Sequence, residues 1–239
     1  MRKLLNVCAK NHSQWIFLTF VQNQKIMKRV IFILFITLGT NSIFAQEKIS
    51  FLLNPPDLNR GLPVMQALQQ RASVTAFSSE PLSNQDLSDI IWAANGINRP
   101  AEGKRTAPSA RNSQDIDVYV IKEDGAYFYN PADHSIELIA PGDHRGLVTG
   151  RQVNMANAPV MLVLVSDISR FSGSDDSQKL RWGAMDAGIV SQNIAVACSG
   201  LGMVTRPRAS MDGAGLRELL KLKDSQHPML NHPVGYPAN

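Results

Sequence analysis

The chain has 239 residues, 44% of them hydrophobic and 18% charged, which is enough for one domain or two small ones with an ordinary core. Its net charge of +4 does not indicate a nucleic-acid partner, because six of the 24 Lys and Arg lie in residues 1–45, which contain no Asp or Glu. Residues 46–239 carry the other 18 basic residues against 20 acidic ones, so this part of the chain is close to neutral.

The start of the chain has the order of features found in export signals. Residues 27–29 end in Lys and Arg, residues 30–38 are apolar, and Ala45 is a small residue at a suitable cleavage position. The apolar run is shorter than the about 20 residues of a membrane span. We therefore expect residues 27–45 to be a signal peptide, residues 1–26 to be an upstream extension before the true start, and the mature protein to be periplasmic without a stable membrane span. A buried N-terminal helix or a membrane anchor is the alternative, and sequencing the mature N-terminus distinguishes them.

The first elements follow the leader. Residues 46–61 contain two adjacent prolines and predict an extended leading segment. Residues 62–71 have apolar side chains at helical spacing and predict a helix, with an extended stretch at residues 74–77. A second helix is predicted to begin after Ser83, which resembles the start of a capping box, and to end at Asn95-Gly96.

The second half predicts one main sheet with helices around it. The predicted strands cover residues 116–121, 126–129, 135–139, 159–165, 203–206 and 228–236, and the predicted helices cover residues 143–151, 181–199 and 212–221. The turn at residues 123–125 predicts a hairpin, and the continuous apolar run at residues 159–165 is typical of a strand covered on both faces. Strands and helices do not alternate strictly, so the sequence predicts an α+β domain over residues 62–239.

Small residues recur on the predicted long helix. They are Gly183, Ala184, Ala187, Gly188, Ser191 and Ala195. Several lie four residues apart, which lets another helix approach closely, either within the same subunit or on a second subunit.

Cysteine and histidine carry little functional signal. Cys8 lies in the leader, and Cys198 lies in a small, apolar helical stretch where a buried hydrophobic role is expected. No His or Cys cluster has metal-ligand spacing. His227 and His232 flank a proline-containing segment and are expected at the surface.

Three polar groups are candidates for ligand binding. Arg71, Ser73 and Thr75 alternate in an extended stretch, so their side chains point to one side and suit a phosphate and a sugar-like chain. The alternative is an exposed sheet edge. Pro108 interrupts RTAPSARNSQ (105–114), whose short hydrogen-bonding side chains form either a solvated loop or a contact to a flat polar ligand.

The third group is Thr205-Arg206-Pro207-Arg208, which follows Gly200-Leu201-Gly202. Two arginines just beyond a strand are suited to hold an anion or to neutralise a ring that gains charge on reduction, and plain surface charge is the alternative. The glycines either admit a flat ligand close to the backbone or only end the helix. They are too few for a dinucleotide or P-loop fingerprint.

The sequence resembles the nitroreductase-like flavoproteins and, within them, the branch that includes the SagB-type dehydrogenases. Five motifs carry the resemblance in chain order: RASVTAF (71–77), LSDIIWAANGINR (87–99), RTAPSARN (105–112), SQN through GLG (191–202) and GYP (235–237). The resemblance implies a nitroreductase-like fold, in which helices flank a central mixed or antiparallel sheet. It also implies a homodimer with FMN at the subunit interface.

The resemblance also implies roles for individual residues. Those assigned to FMN are Arg71, Ser73, Thr75, Pro108, Ser109, Asn112, Thr205, Arg206 and Arg208. Arg71 and Ser73 would hold the phosphate and ribityl end, Ser109 and Asn112 would hydrogen-bond the flavin, and Arg206 would stabilise the reduced ring. Thr75 departs from the family pattern, because Lys or Arg is usual there. The chain also ends soon after residue 237, where many members continue with basic residues. Arg208 is the candidate to replace the missing phosphate charge.

The implied activity is hydride and electron transfer through FMN, from NAD(P)H or another reduced donor to a small nitro or quinone acceptor. In an exported protein the donor is open, since nicotinamide nucleotides are scarce there. The alternatives are a flavin-binding member without catalysis and an exported binding domain without flavin. Yellow protein bleached by NADPH, yellow but inert protein, and protein that stays colourless with added FMN are the outcomes that separate the three.

Overall fold

A computed structural model describes residues 48–238 of the chain. The upstream extension and the signal peptide, predicted at residues 1–26 and 27–45, lie outside the described residues.

A seven-stranded sheet organises the described chain. Its strands, in the order β1-β6-β5-β4-β7-β9-β8, are β1 (Ser50–Leu52), β6 (Ser135–Pro141), β5 (Gly125–Asn130), β4 (Ile116–Lys122), β7 (Val160–Asp167), β9 (Gln226–Gly235) and β8 (Val204–Thr205). Every neighbouring pair is antiparallel. The sequence left a mixed or an antiparallel sheet open, and the sheet is antiparallel.

The strand β7 lies at the centre of the sheet, as its composition predicts. It pairs with β4 along its length from Val160 to Ser166 and with β9 on its other side. All eight of its residues are buried. An unbroken apolar run is stable only where both faces of a strand are covered, which explains why this segment takes the central place.

Within residues 48–238, five α-helices surround the sheet: α1 (Val64–Gln70), α2 (Asn84–Asn95), α3 (Arg145–Thr149), α4 (Asp176–Gly200) and α5 (Gly213–Leu219). The capping prediction at Ser83 is confirmed, since its hydroxyl accepts from the backbone N–H of Asp86 at 3.0 Å. The long helix α4 begins five residues earlier than predicted. Asp175 caps it by accepting from the N–H of Gln178 at 2.9 Å, so a polar first turn that shows no apolar periodicity is still helical.

Two apolar layers hold these helices against the sheet. On one face, Ile91 of α2 and Ile194 of α4 pack in the same cluster as Leu162 of β7. On the other face, Val163 of β7 packs in a cluster with Val148 of α3 and Leu216 of α5. Successive residues of β7 therefore supply opposite cores, which is the consequence of the two-residue side-chain period of a strand.

Short strands were missed by the sequence prediction. A separate two-stranded sheet pairs β2 (Ile97–Arg99) with β3 (Lys104–Arg105), and β1 forms one edge of the main sheet. These segments are two or three residues long and polar or exposed, so no alternating apolar pattern marks them. Within residues 48–238, every helix is too short or too polar to span a bilayer.

Candidate active site

The segment after α1 lies beside the edge strand β8. Ser73 forms a parallel bridge with Thr205, and the N–H of Val74 donates to the carbonyl of Thr205 at 3.3 Å. The structure thus brings together two of the three predicted groups, the one at residues 71–75 and the one at residues 205–206. Ser73 and Thr75 are exposed in this arrangement.

The hydroxyl of Thr205 points inward rather than toward a ligand. It donates to the carbonyl of Pro233 at 2.8 Å and lies 3.1 Å from Nδ1 of His232, whose Nε2 lies 2.7 Å from the Ser191 hydroxyl. Because the single proton of the Thr205 hydroxyl goes to Pro233, Nδ1 of His232 is the donor and Nε2 accepts from Ser191. What Thr205 presents at the edge is therefore its backbone.

The surface prediction for His232 is wrong. Its side chain is completely buried, because it lies on β9 opposite Leu162 of the central strand. Desolvation lowers the pKa of His232 to about 3, so the ring is neutral. The neutral imidazole connects α4, β9 and β8 beneath the edge where Ser73 binds, and so fixes the position of that edge.

Two arginines of this edge are open to a ligand. Arg71 and Arg206 are half-buried. The arginines that form ion pairs within residues 48–238 are Arg60, Arg145, Arg170 and Arg217. Neither Arg71 nor Arg206 is among them. The Ser73–Thr205 bridge places Arg71 two residues from one bridge partner and Arg206 one residue from the other.

Arg208 occupies a different environment from the one its predicted role requires. Only 6% of its surface is exposed, and it donates to the carbonyls of Val148 and Thr149 and to the side chains of Gln152 and Asn231. These contacts use the guanidinium to tie α3 and its following turn to β9. Arg208 therefore serves the fold, and the charge absent at Thr75 is not supplied by a free Arg208 side chain.

The glycines before this edge end the helix, which was one of the two alternatives. Gly202 has a φ of +76°, a conformation that other residues adopt at a cost, and the chain turns there from α4 into β8. The carbonyl of Gly200 accepts from the N–H of Leu62 at 2.9 Å, so this glycine also fixes the start of α1 against the end of α4.

The loop 108–114 has a strained backbone. Arg111, Asn112 and Gln114 all have positive φ values, of 56°, 56° and 49°. Pro108 and Asn112 are exposed, while the Ser109 hydroxyl accepts from the N–H of Gln114 at 2.8 Å and closes the loop. Three non-glycine residues in the left-handed region within four positions store free energy, and such strain is typical of functional loops.

Buried acidic groups hold this loop in place. Asp186 of α4 accepts from the N–H of Ala110 at 2.8 Å, and its side chain hydrogen-bonds to Asp115. The Ser166 hydroxyl donates to Asp115 from β7. Burial, together with the neighbouring Asp186, raises the pKa of Asp115 to about 7. Asp115 is therefore about half protonated beneath the loop at neutral pH.

Within one chain, the loop and the Arg71 edge, which is the segment of residues 71–75 beside β8, follow contacts to different parts of α4. The loop contacts the middle of the helix at Asp186, whereas α1 contacts its C-terminal end at Ser199, whose hydroxyl donates to the Ala67 carbonyl at 2.8 Å. Thirteen residues of helix separate these two contacts, or about 20 Å along the helix axis at 1.5 Å per residue. The bridge that joins residues 71–75 to Thr205 does not include the loop.

The small residues of α4 divide between two surfaces. Ala187, Ser191 and Ala195 are buried against their own subunit. Ala184 and Gly188 are exposed, next to Met185 and Ile189, which are 57% and 37% exposed. Packing within the same subunit, one of the two alternatives left open by the sequence, is confirmed for the buried stripe, and the other stripe is an open apolar face.

The cysteine prediction is confirmed. Cys198 is 1% exposed in the core between α4 and the sheet, and burial raises the pKa of its thiol. A thiol that stays protonated and inaccessible is not a nucleophile.

Comparisons with known proteins identify the family. The model of the Nitroreductase family matches residues 68–236. The "putative nitroreductase" of Methanocaldococcus jannaschii is 31% identical over 189 residues, covering 75% of this chain and 93% of that protein. FMN reductase [NAD(P)H] of Bacillus subtilis is 24% identical over 190 residues, covering 74% of this chain and 66% of its own length.

A solved structure supports the same family assignment. The crystal structure of a protein of the same description from Ralstonia eutropha JMP134 superposes with a TM-score of 0.74 at 32% identity, covering 80% of this chain and 90% of that one. The family model spans all three predicted site groups. The chain belongs to the Nitroreductase family of oxidoreductases.

Proposed function

We propose that this protein is an FMN-dependent oxidoreductase that takes electrons from NAD(P)H or another reduced donor and passes them to a small nitro or quinone compound. The observation that carries the proposal is the Ser73–Thr205 bridge, which sets two arginines without ion-pair partners among the described residues beside exposed hydroxyls. Family membership and the similarity to an FMN reductase support the same assignment.

The residues at this edge fit the phosphate end of FMN. Guanidinium groups bind phosphate oxygens through paired hydrogen bonds, and Arg71 has its side chain available for this. Ser73 is exposed beside it and adds a hydroxyl donor. In our proposal Arg71 and Ser73 hold the phosphate and ribityl end, Thr75 adds a hydroxyl in place of a charge, and Arg206 lies nearer the ring.

A second copy of the chain would complete the site. The loop with Pro108, Ser109 and Asn112 contacts α4 at Asp186, about 20 Å along the helix from the contact between α4 and α1. We therefore propose a homodimer in which the exposed face of α4 packs on its counterpart and each loop 108–114 covers the site of the partner. The strained, internally anchored loop is suited to present fixed polar atoms to a flat ring.

FMN, when bound, supplies the hydride and electron chemistry of the reaction. The protein then needs to bind and orient the ring, exclude water and stabilise negative charge at its edge. Arg206 is suited to the last task because its backbone directly follows Thr205, a buried and hydrogen-bonded strand position. A preorganised cation stabilises a developing negative charge without paying for reorganisation.

Thr75 stands where a basic residue is usual in the family, so the phosphate site has one charge fewer. This favours one alternative, a family member that binds flavin without catalysing a reaction. With Arg208 engaged inside the fold, Arg71 and Arg206 are the cations of the edge that remain for the phosphate. The alternative differs from the main proposal in the first half-reaction, because the bound flavin takes no electrons from a nicotinamide donor. Yellow protein that NADH and NADPH do not bleach would support it.

Site variants test the proposal directly. Arg71→Gln should weaken FMN binding at least about tenfold, because a charge-assisted phosphate contact is lost. The matched control is Arg99→Gln, an exposed arginine on β2, which should leave FMN affinity unchanged. Affinity is read from the quenching of FMN fluorescence on titration with protein, and activity from anaerobic bleaching of the bound flavin by NADPH. Protein that stays colourless after FMN addition would contradict the proposal.

A further inference from the structure

A polar cleft opens beside β4, β5 and β6. Its volume is about 610 Å³, within the roughly 300–1,000 Å³ of small-molecule sites. Its charged side chains are Lys48, Arg105, Arg170, Asp117 and Glu137. The residues that we assign to FMN are all described by the structure, and none of them lines this cleft.

Two of the three cations in the cleft already have partners. Nζ of Lys48 lies 2.9 Å from Oε2 of Glu137. Nη2 of Arg170 donates to Oδ2 of Asp117 at 2.7 Å. These two pairs use both acidic side chains of the cleft, so its excess positive charge belongs to Arg105.

The guanidinium of Arg105 is held at one end and open at the other. Its Nε donates to Oε1 of Gln114 at 2.9 Å, and the amide of Gln114 is fixed in turn by a bond to the Gly103 carbonyl. Among the residues that the structure describes, the two terminal amino groups of Arg105 donate no hydrogen bond. Burial lowers the pKa of this half-buried arginine, and the charge of Asp117 partly opposes the shift. An anion beside it would restore the lost stabilisation.

The remaining wall of the cleft is partly apolar. Phe128 lines it and packs edge-on against Tyr119, with ring centroids 5.5 Å apart. Pro131 and Ala132 lie on the turn that follows β5, and Ala132 is exposed at the rim. An aromatic ring or a short hydrocarbon part of a ligand can therefore lie against this side while a charged end meets Arg105.

We propose that this cleft binds a small aromatic carboxylate, whose two oxygens accept from the terminal amino groups of Arg105 while its ring lies against Phe128. The planar fork of a guanidinium donates two parallel hydrogen bonds to the two oxygens of a carboxylate. A ligand with a positive charge or a neutral amide in place of the carboxylate cannot accept this pair of bonds. None of the residues assigned to FMN lines this cleft, although Ser113 and Gln114 belong to the loop 108–114.

The probe for this site is 4-fluorobenzoate, followed by fluorine NMR on the full protein with its natural complement of flavin. Wild-type protein should broaden and shift the signal saturably, and Arg105→Gln should weaken binding at least about tenfold. Arg99→Gln removes an exposed arginine outside the cleft and should leave binding unchanged. Neutral 4-fluorobenzamide should not bind. Binding that persists in Arg105→Gln, or that 4-fluorobenzamide matches, would overturn the proposal.

A second pair of variants leaves Arg105 in place. It therefore avoids any effect that replacing Arg105 has on folding or, through Gln114, on the loop. Ala132 is exposed on a turn, so Ala132→Lys and Ala132→Glu change only the charge at the rim. The lysine should tighten binding of 4-fluorobenzoate and the glutamate should weaken it, each about threefold, as expected for a partly screened charge. Equal affinity in both variants would also overturn the proposal. FMN affinity measured on the same samples reports separately on the flavin site.

Discussion

At the scale of single residues, the most consequential group is Asp115 beneath the loop 108–114. An aspartate in the unfolded chain loses its proton near pH 3.8, whereas burial and Asp186 raise the pKa of Asp115 to about 7 in the fold. Between these values unfolding releases a proton. The contribution of Asp115 to stability is therefore fully present below about pH 4 and is lost as the pH rises toward 7.

Asp115→Asn tests this linkage, because asparagine can accept from Ser166 and donate to Asp186 as protonated aspartate does. The stability of the variant relative to wild type should rise from pH 5 to pH 7, by at most about 1.4 kcal/mol per pH unit. Urea unfolding at several pH values measures the difference. Asp224→Asn replaces an exposed aspartate and should show no such trend. A constant difference between Asp115→Asn and wild type would refute the raised pKa of Asp115.

At the scale of elements, α4 approaches β7 closely because Gly183 has no side chain. A Cβ at this position would collide with the side chain of Ser166 on the central strand. Ser166 in turn donates to Asp115, so the helix, the strand and the loop support depend on one contact. The small residues of the buried stripe therefore serve close packing between a helix and a sheet.

Gly183→Ala should destabilise the protein by about 1–3 kcal/mol, because overpacking forces the helix or Ser166 to move. The control is Gly146→Ala in α3, where an added Cβ meets nothing within 4 Å. This second change should be neutral or stabilise by up to about 1 kcal/mol, since alanine favours the helix. Chemical denaturation of both variants gives the two values. A neutral Gly183→Ala would show that α4 can shift away from β7 at little cost.

At the scale of the whole molecule, the proposed site needs a second copy of the chain. The exposed face of α4, with Met185 and Ile189, is the surface we propose to pair. If the partner's loop covers each site, then loss of the dimer and loss of flavin should occur together. The apolar face of α4 would then affect FMN affinity without contacting FMN itself.

Met185→Glu should convert the dimer to a monomer and lower FMN affinity at least about tenfold, because a charge would be buried without a partner. Leu52→Glu also places a charge on an exposed apolar residue, at the β1 edge, and should leave both properties unchanged. Sedimentation velocity and flavin fluorescence measure the two effects. A monomeric Met185→Glu protein that retains wild-type FMN affinity would contradict the shared site.

Local sequence patterns predicted most elements because they depend on local physical chemistry. The apolar run of β7, the cap at Ser83 and the positions of the helices follow from periodicity and side-chain hydrogen bonding within a few residues. The start of α4 was predicted late because its first turn is polar. The short strands β2 and β3 carry too few residues to show any period.

By itself, the sequence determined the α+β class, the central strand, the groups of polar residues and the resemblance to a family of flavoproteins. Only the tertiary structure decided which members of those groups remain available. Arg71 and Arg206 have no ion-pair partners among the described residues. The side chains of Arg208, Thr205 and His232 form hydrogen bonds inside the protein instead. The physical reason is that the burial of a residue depends on which strands and helices, distant in sequence, cover it. The spacing of neighbouring residues does not contain this information.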